Sequence, residues 1–259
     1  MRNTQLVSLK DALLIQYAIG QNPVGNCLTT SLVLAKNAMG KEAAKVLAVG
    51  LQFNKSLLNL DLSHCNFGSS GVSSLCTSLA QNSTLKSLNL YRNICDVNGA
   101  RAIGECLKKN CSLEFLDIGH NRIRQTGLKA ICDGITANPK SKMTQLGVRA
   151  NFINDDGFSY LFEKLVFPKT GAHLTQIFLK ANFLSEYHKI ALAQKTSDIK
   201  CFVDDFQYLD LLVKEKLDRT IWISPMPSDH NTMVSTVNSF FSELYDCGFV
   251  TDVRVRSGK

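Results

Sequence analysis

The stretch LLNLDLSHC at residues 57–65 returns 28 residues later as LKSLNLYRN at 85–93. In both, leucines stand at the first, fourth and sixth positions, and a cysteine or asparagine at the ninth. Working outward, the same spacing recurs as Leu113, Leu116, Ile118 and Asn121, then as Met143, Leu146, Val148 and Asn151. Leu174, Ile177, Leu179 and Asn182 follow, and a weaker copy precedes them all as Thr29, Leu32, Leu34 and Asn37. The ninth positions 37, 65, 93 and 121 are each 28 residues apart, and the next two steps are 30 and 31. A period of this length marks a stacked array, in which no unit buries its own leucines and neighbours share one core.

The second half of each unit repeats too. Ala43, Gly71, Gly99, Gly127 and Gly157 are each followed by apolar residues four and eight positions on: Leu47/Leu51, Leu75/Leu79, Ile103/Leu107, Ile131/Ile135 and Leu161/Leu165. Steps of four put each pair on one helical face. Asn54, Asn82, Asn110 and Asn138 recur where each helix should stop. Asparagine tolerates the left-handed conformation, so the spacing predicts a repeated helix C-cap.

These patterns resemble the ribonuclease-inhibitor type of leucine-rich repeat, over about residues 27–195. The resemblance implies an α/β right-handed solenoid, with parallel strands inside and helices outside. It further implies that Asn37, Cys65, Asn93, Asn121, Asn151 and Asn182 hydrogen-bond the backbone of the bend after each strand. Residues 1–26 read as an N-terminal cap, with Leu9–Ile19 as its helix. Residues 196–218 read as a C-terminal capping helix, since Phe202, Phe206, Leu209 and Val213 follow helical steps.

Strand alternation points two columns away from the helices: Val33, Asp61, Asn89, Asp117, Gly147, Phe178, and Ala35, Ser63, Tyr91, Gly119, Arg149, Lys180. Lys36, His64, Arg92 and His120 border the second. Tyr91, Arg92, His120, Arg149 and Lys180 therefore form the candidate partner-binding set, because tyrosine and arginine anchor macromolecular interfaces. Ordinary solvated strand positions remain the competing reading.

Residues 219–259 differ. Ile221–Ser224 is β-rich, Val234, Val237, Phe241 and Leu244 step helically, and Phe249–Val255 is β-rich again. This resembles the first half of an RNA-recognition motif, with Trp222 at the base-stacking position. Phe241, Tyr245, Gly248 and Val250 echo its turn into the second strand, with extra residues between them. The resemblance implies a single-stranded RNA contact at Trp222, Arg254 and Arg256. The second signature of that motif is not present before Lys259.

Composition adds bounds. A formal charge of +7, with 45% hydrophobic and 20% charged residues, fits a soluble domain with an acidic partner or nucleic acid. Nine cysteines without a CxxC pair read as reduced, half-buried hydrophobes of a cytoplasmic or nuclear chain, not as zinc ligands. No nucleophile-elbow, phosphate-loop or zinc-protease motif occurs, so no enzyme, metal, cofactor or small-molecule substrate is expected. Met1–Asn26 fits no signal peptide, and no apolar run is long enough to span a membrane. The leading expectation is a non-enzymatic scaffold holding a protein partner on its concave sheet. The alternative is an RNA-associated protein acting through residues 219–259. The repeat resemblance also implies GTPase activation or actin capping as roles. The acidic tail of the Ran-activating relatives is absent, whereas tropomodulin-like cappers end a short array with a helix.

Overall fold

The structure is a computed structural model describing residues 9–20, 29–166, 174–179, 181–183, 185 and 200–202. The chain divides into two units, Met1–Leu212 and Val213–Lys259, and every described residue lies in the first. Trp222, Arg254 and Arg256, with the whole strand–helix–strand reading, thus lie outside the described residues, as does Lys180.

Among the described residues seven short strands form one parallel sheet in chain order: β1 Ser31–Val33, β2 Asn59–Asp61, β3 Ser87–Asn89, β4 Phe115–Asp117, β5 Gln145–Gly147, β6 Gln176–Phe178 and β7 Lys200–Phe202. Leu32, Leu60, Leu88, Leu116, Leu146 and Ile177 are partners in successive ladders, which is the register that the leucine spacing predicts. Among the described residues six helices alternate with the strands: α1 Leu9–Gly20, α2 Gly40–Phe53, α3 Gly68–Leu79, α4 Val97–Leu107, α5 Arg124–Thr136 and α6 Asp155–Leu161. Each packs on the next. α6 runs on into a π-helical turn, Phe162–Val166, so that Leu161 and Leu165 both remain buried in the longest repeat. The leucine columns and the five helix pairs are buried in one continuous core. Each fully buried leucine stabilises the stack by about 1.5–3 kcal/mol.

Two ladders of asparagines tie repeat to repeat. In the first, the Asn121 amide donates to the Leu90, Ile118 and Gly119 carbonyls, while its oxygen accepts from the Asn93 and Cys95 N–H groups. Asn151 and Asn182 repeat this one and two units on. At Cys65 the thiol donates to the Leu34 and Ser63 carbonyls instead. The bend role implied by resemblance is therefore present, and it extends across each repeat boundary.

The second ladder bears out the C-cap expectation at Asn54, whose N–H donates to Gly50 O at 3.1 Å as the C-cap of α2, but without the left-handed conformation. Asn54, Asn82, Asn110 and Asn138 are not left-handed; Asn54 is extended, at φ −68° and ψ 132°. Their backbone N–H groups close the helix ends, and their side chains reach the neighbouring repeat. Asn82 donates to Leu51 O at 2.8 Å and accepts from Thr84 and Leu85 N–H. Asn110 and Asn138 donate in the same way to Leu79 O and Leu107 O. Asn54 reaches Ile19 O at 2.8 Å, so the end of α1 occupies the place of a repeat helix.

β7 corrects a second expectation. Lys200–Phe202, expected at the start of the 196–218 helix, pairs with β6, with Cys201 opposite Ile177. Ile199, Cys201 and Val203 alternate in sequence. A strand placed on the open edge of β6 satisfies ladder groups that a helix there would leave bare. The remainder of 196–218 lies outside the described residues.

Among the described cysteines, Cys65, Cys76, Cys95, Cys106 and Cys132 are buried and Cys111 is exposed. Burial pushes the Cys65 and Cys95 thiols up to about 12, and the Cys132 thiol up likewise. These are packing groups, poorly ionised and unreactive.

Candidate partner-binding surface

The strand positions that face away from the helices bring four of the five expected residues together. Tyr91 is the centre. It follows β3, and its ring lies 5.5 Å from the His64 ring and 5.6 Å, edge-on, from the His120 ring. The Arg149 guanidinium sits 5.0 Å from the Tyr91 ring centre and that of Arg92 5.9 Å. A cation within about 6 Å of an aromatic ring centre is attracted by the ring quadrupole. Arg92 also donates to His120 Nε2 at 2.9 Å. His64, Arg92 and His120 all occupy the bend just before the Cys/Asn column, at φ 57°, 55° and 53°. Each repeat therefore presents this side chain in the same way.

Arg149 is held from beneath. Its Nη2 pairs with Asp117 Oδ2 at 2.5 Å, and Asp117 is only 4% exposed. Asp117 Oδ1 meanwhile accepts from Gly119 N–H at 2.7 Å. Two glycines leave room for this. A Cβ on Gly119 would lie 2.8 Å from Arg149 Cγ and 2.9 Å from Tyr91 Cδ2, and one on Gly147 would lie 2.8 Å from Asp117 Oδ1. Arg149 Nε is buried with no hydrogen-bond partner, against the tyrosine. Arg149 is thus a structural ion pair as well as a surface cation, which the strand alternation alone did not reveal.

Cationic neighbours act on His64. Burial, followed by the charges of Arg92 and Lys36, holds the His64 imidazole below its ordinary value of 6.5, although Asp61 opposes them. Among the described residues no group of three or more His, Cys, Asp or Glu side chains is placed to hold a metal ion. Among them, too, no helix is long and apolar enough to cross a membrane.

His64 belongs to the cluster but was read only as a neighbour, because its position in the repeat explained it. Another group was missed. Ile94, Phe152 and Phe183, each one residue after the Asn column, are 55%, 52% and 64% exposed. Their signal in the sequence was an apolar residue at a shared position that the core does not use.

A sequence model described as a leucine-rich repeat matches residues 53–76 and 109–132. No curated protein matches the chain. Among solved structures, actin-binding site 2 of leiomodin-1 is similar with a TM-score of 0.47 at 16% identity, covering 60% of this chain and 86% of that one. The C-terminal domain of tropomodulin from Caenorhabditis elegans gives 0.45 at 8% identity, covering 81% and 100%. The parallel ladders in constant register and the two matched segments make this chain an α/β leucine-rich-repeat solenoid.

Proposed function

We propose that the chain is a non-enzymatic scaffold, with repeats of the ribonuclease-inhibitor type, that holds an acidic protein partner on the open face of its sheet. The observation that carries this reading is the Tyr91 cluster: one aromatic ring flanked by His64 and His120 and overlaid by Arg92 and Arg149. A rigid aromatic among cations offers contact area and charge complementarity with little ordering entropy. The steps of 28 residues, with a full helix in most units, support the repeat type. The composition supports a cytoplasmic or nuclear setting.

The test compares the full chain with Tyr91→Ala/Arg92→Glu as baits, the captured partners being identified and their affinities measured at low and high salt. Arg149→Ala is unsuited to the purpose, because it strands the buried Asp117 carboxylate. The expected result is a partner bound by wild type, weakened by salt and lost by the double variant. Partners retained in full by the double variant would refute the reading. Oligouridine is the companion probe. Trp222 emission unchanged by oligouridine favours the protein scaffold, and quenching favours the RNA alternative.

A further inference from the structure

The edge of the solenoid where strands turn into helices carries side chains that the bend itself does not favour. Ile94 and Phe152 sit at φ 57° and 59°, a conformation that a β-branched or bulky L-residue rarely adopts. At the equivalent position Asn66 sits at φ 58°, and asparagine suits that geometry. Arg124 is at φ 55°, where the two earlier repeats with the same bend use Gly40 and Gly68. Residues suited to the bend are thus present in this chain, and repeats three to five do without them.

All these side chains point into solvent. Ile94 is 55% exposed, Phe152 52% and Phe183 64%, and Arg122 and Arg124 are exposed with them. The bridges Asp96–Arg122 and Asn154–Phe183 are equivalent, so Ile94 stands to Arg122 as Phe152 stands to Phe183. The two phenylalanine rings lie 5.9 Å apart. Among the described residues no carboxylate lies within ion-pair distance of Arg92, Arg122 or Arg124. Asp96 is turned to the Asn98 and Gly99 amides and the Ser69 hydroxyl, and Asp155 accepts from the Ser185 amide.

We infer that the edge carrying Ile94, Arg122, Arg124, Phe152 and Phe183 is a docking strip for an acidic, apolar segment of another protein. For the class of partner this rests on the protein-binding reading above. The arginines, which have no carboxylate partner among the described residues, lie between Ile94 and the paired rings and select the acidic residues, while the apolar side chains on either side take the apolar ones. Local strain held in two exposed apolar groups of one row, Ile94 and Phe152, with Phe183 against Phe152, points to a binding surface rather than to packing.

The test is selection of a random dodecapeptide library, displayed on phage, against the full-length chain. Selected peptides are then measured by fluorescence anisotropy. The expected winners combine Asp or Glu with Leu, Phe or Trp. Ile94→Asn/Arg124→Gly/Phe152→Asn should weaken them by about tenfold or more, the scale of a lost interface anchor. Its melting temperature should stay level or rise, because the new residues suit the bend. Arg122→Glu should weaken the same peptides at low salt with the fold unchanged. Enrichment of basic or neutral peptides, no enrichment, or a lowered melting temperature in the triple variant would overturn the inference. So would a preference for oligouridine over peptide. If only Tyr91→Ala/Arg92→Glu loses binding, the strip fails and the proposed function stands. If only the strip variants lose it, the reverse holds. If no variant loses it, both fall.

Discussion

Asn121→Ala removes one side chain and five hydrogen bonds at the junction of the third and fourth repeats. The side chain is 3% exposed, so water does not replace it. The Asn93 and Cys95 N–H groups, bonded to its oxygen at 3.0 and 2.9 Å, are left buried without that acceptor. An orphaned buried donor costs about 1–3 kcal/mol, so the pair gives about 2–6 kcal/mol. The carbonyls of Leu90, Ile118 and Gly119 lose a donor as well. For a domain of this size each kcal/mol lowers the melting midpoint by about 2–4 °C. Leu116→Ala, at a site 1% exposed, calibrates the scale at about 2–5 kcal/mol. Asn121→Cys should be milder than Asn121→Ala, because Cys65 fills the same column with a thiol that donates to two carbonyls. Urea and thermal melts give the totals, and amide hydrogen exchange gives the location: Asn93 and Cys95 should lose protection before the first repeat does. Asn121→Ala within about 0.5 kcal/mol of wild type, the spread of ordinary surface changes, would refute the ladder argument. So would Asn121→Cys proving worse than Asn121→Ala.

Arg149→Ala should destabilise by about 1–3 kcal/mol in urea melts, less than a fully buried pair because Arg149 is itself half-exposed. Adding Asp117→Asn should restore most of the loss, and additive losses would show that the pair does not hold the surface. His64 should titrate below 6.5 in NMR, since burial and then Arg92 and Lys36 lower it. Because its folded-state value is depressed, the unfolded chain takes up the proton first as pH falls. His64 therefore leaves stability unchanged above 6.5 and lowers it as pH drops from 6.5 through the folded value. His64→Asn, which also suits the bend, should remove that acid-side loss, and a His64 midpoint at or above 6.5 would contradict the placement.

Most of the stack was legible because burial repeats. Leu60, Leu88 and Leu116 solve one packing problem three times, so their spacing reports their register. Asn93 and Asn121 were legible through resemblance. Asn82 was read only in part, because sequence shows where an asparagine recurs but not which of its groups acts: the side chain reaches back 31 residues to Leu51, which no local rule contains. Phe67, Cys95, Ile123 and Ile153, two positions after the column, are all buried, yet their variety hid them from a search for leucines. At Lys200–Phe202 a helical and an alternating pattern overlapped, and the bare edge of β6 decided between them. Arg149 lies beside Tyr91, its expected neighbour across the sheet. Its bond to Asp117 was not foreseen, because that reach depends on the space that Gly119 and Gly147 leave empty.

That contrast locates specificity in a repeat fold. Positions that every unit needs converge on residues suited to the task, as the leucine columns do inside and the two asparagine ladders do at the bends and the helix ends. A position free of that demand should drift toward polar residues that fit its backbone, as Asn66 does. Ile94, Arg124 and Phe152 break this rule in the direction that costs the isolated chain both conformational energy and exposed apolar surface. The Tyr91 cluster breaks it too, by burying a carboxylate to hold a cation at the surface. Both departures centre on the third to fifth repeats, with His64 of the second repeat reaching the Tyr91 cluster. A solenoid whose units stand in one constant register can confine such departures to a few neighbours, because each unit depends on the next for packing and not for sequence.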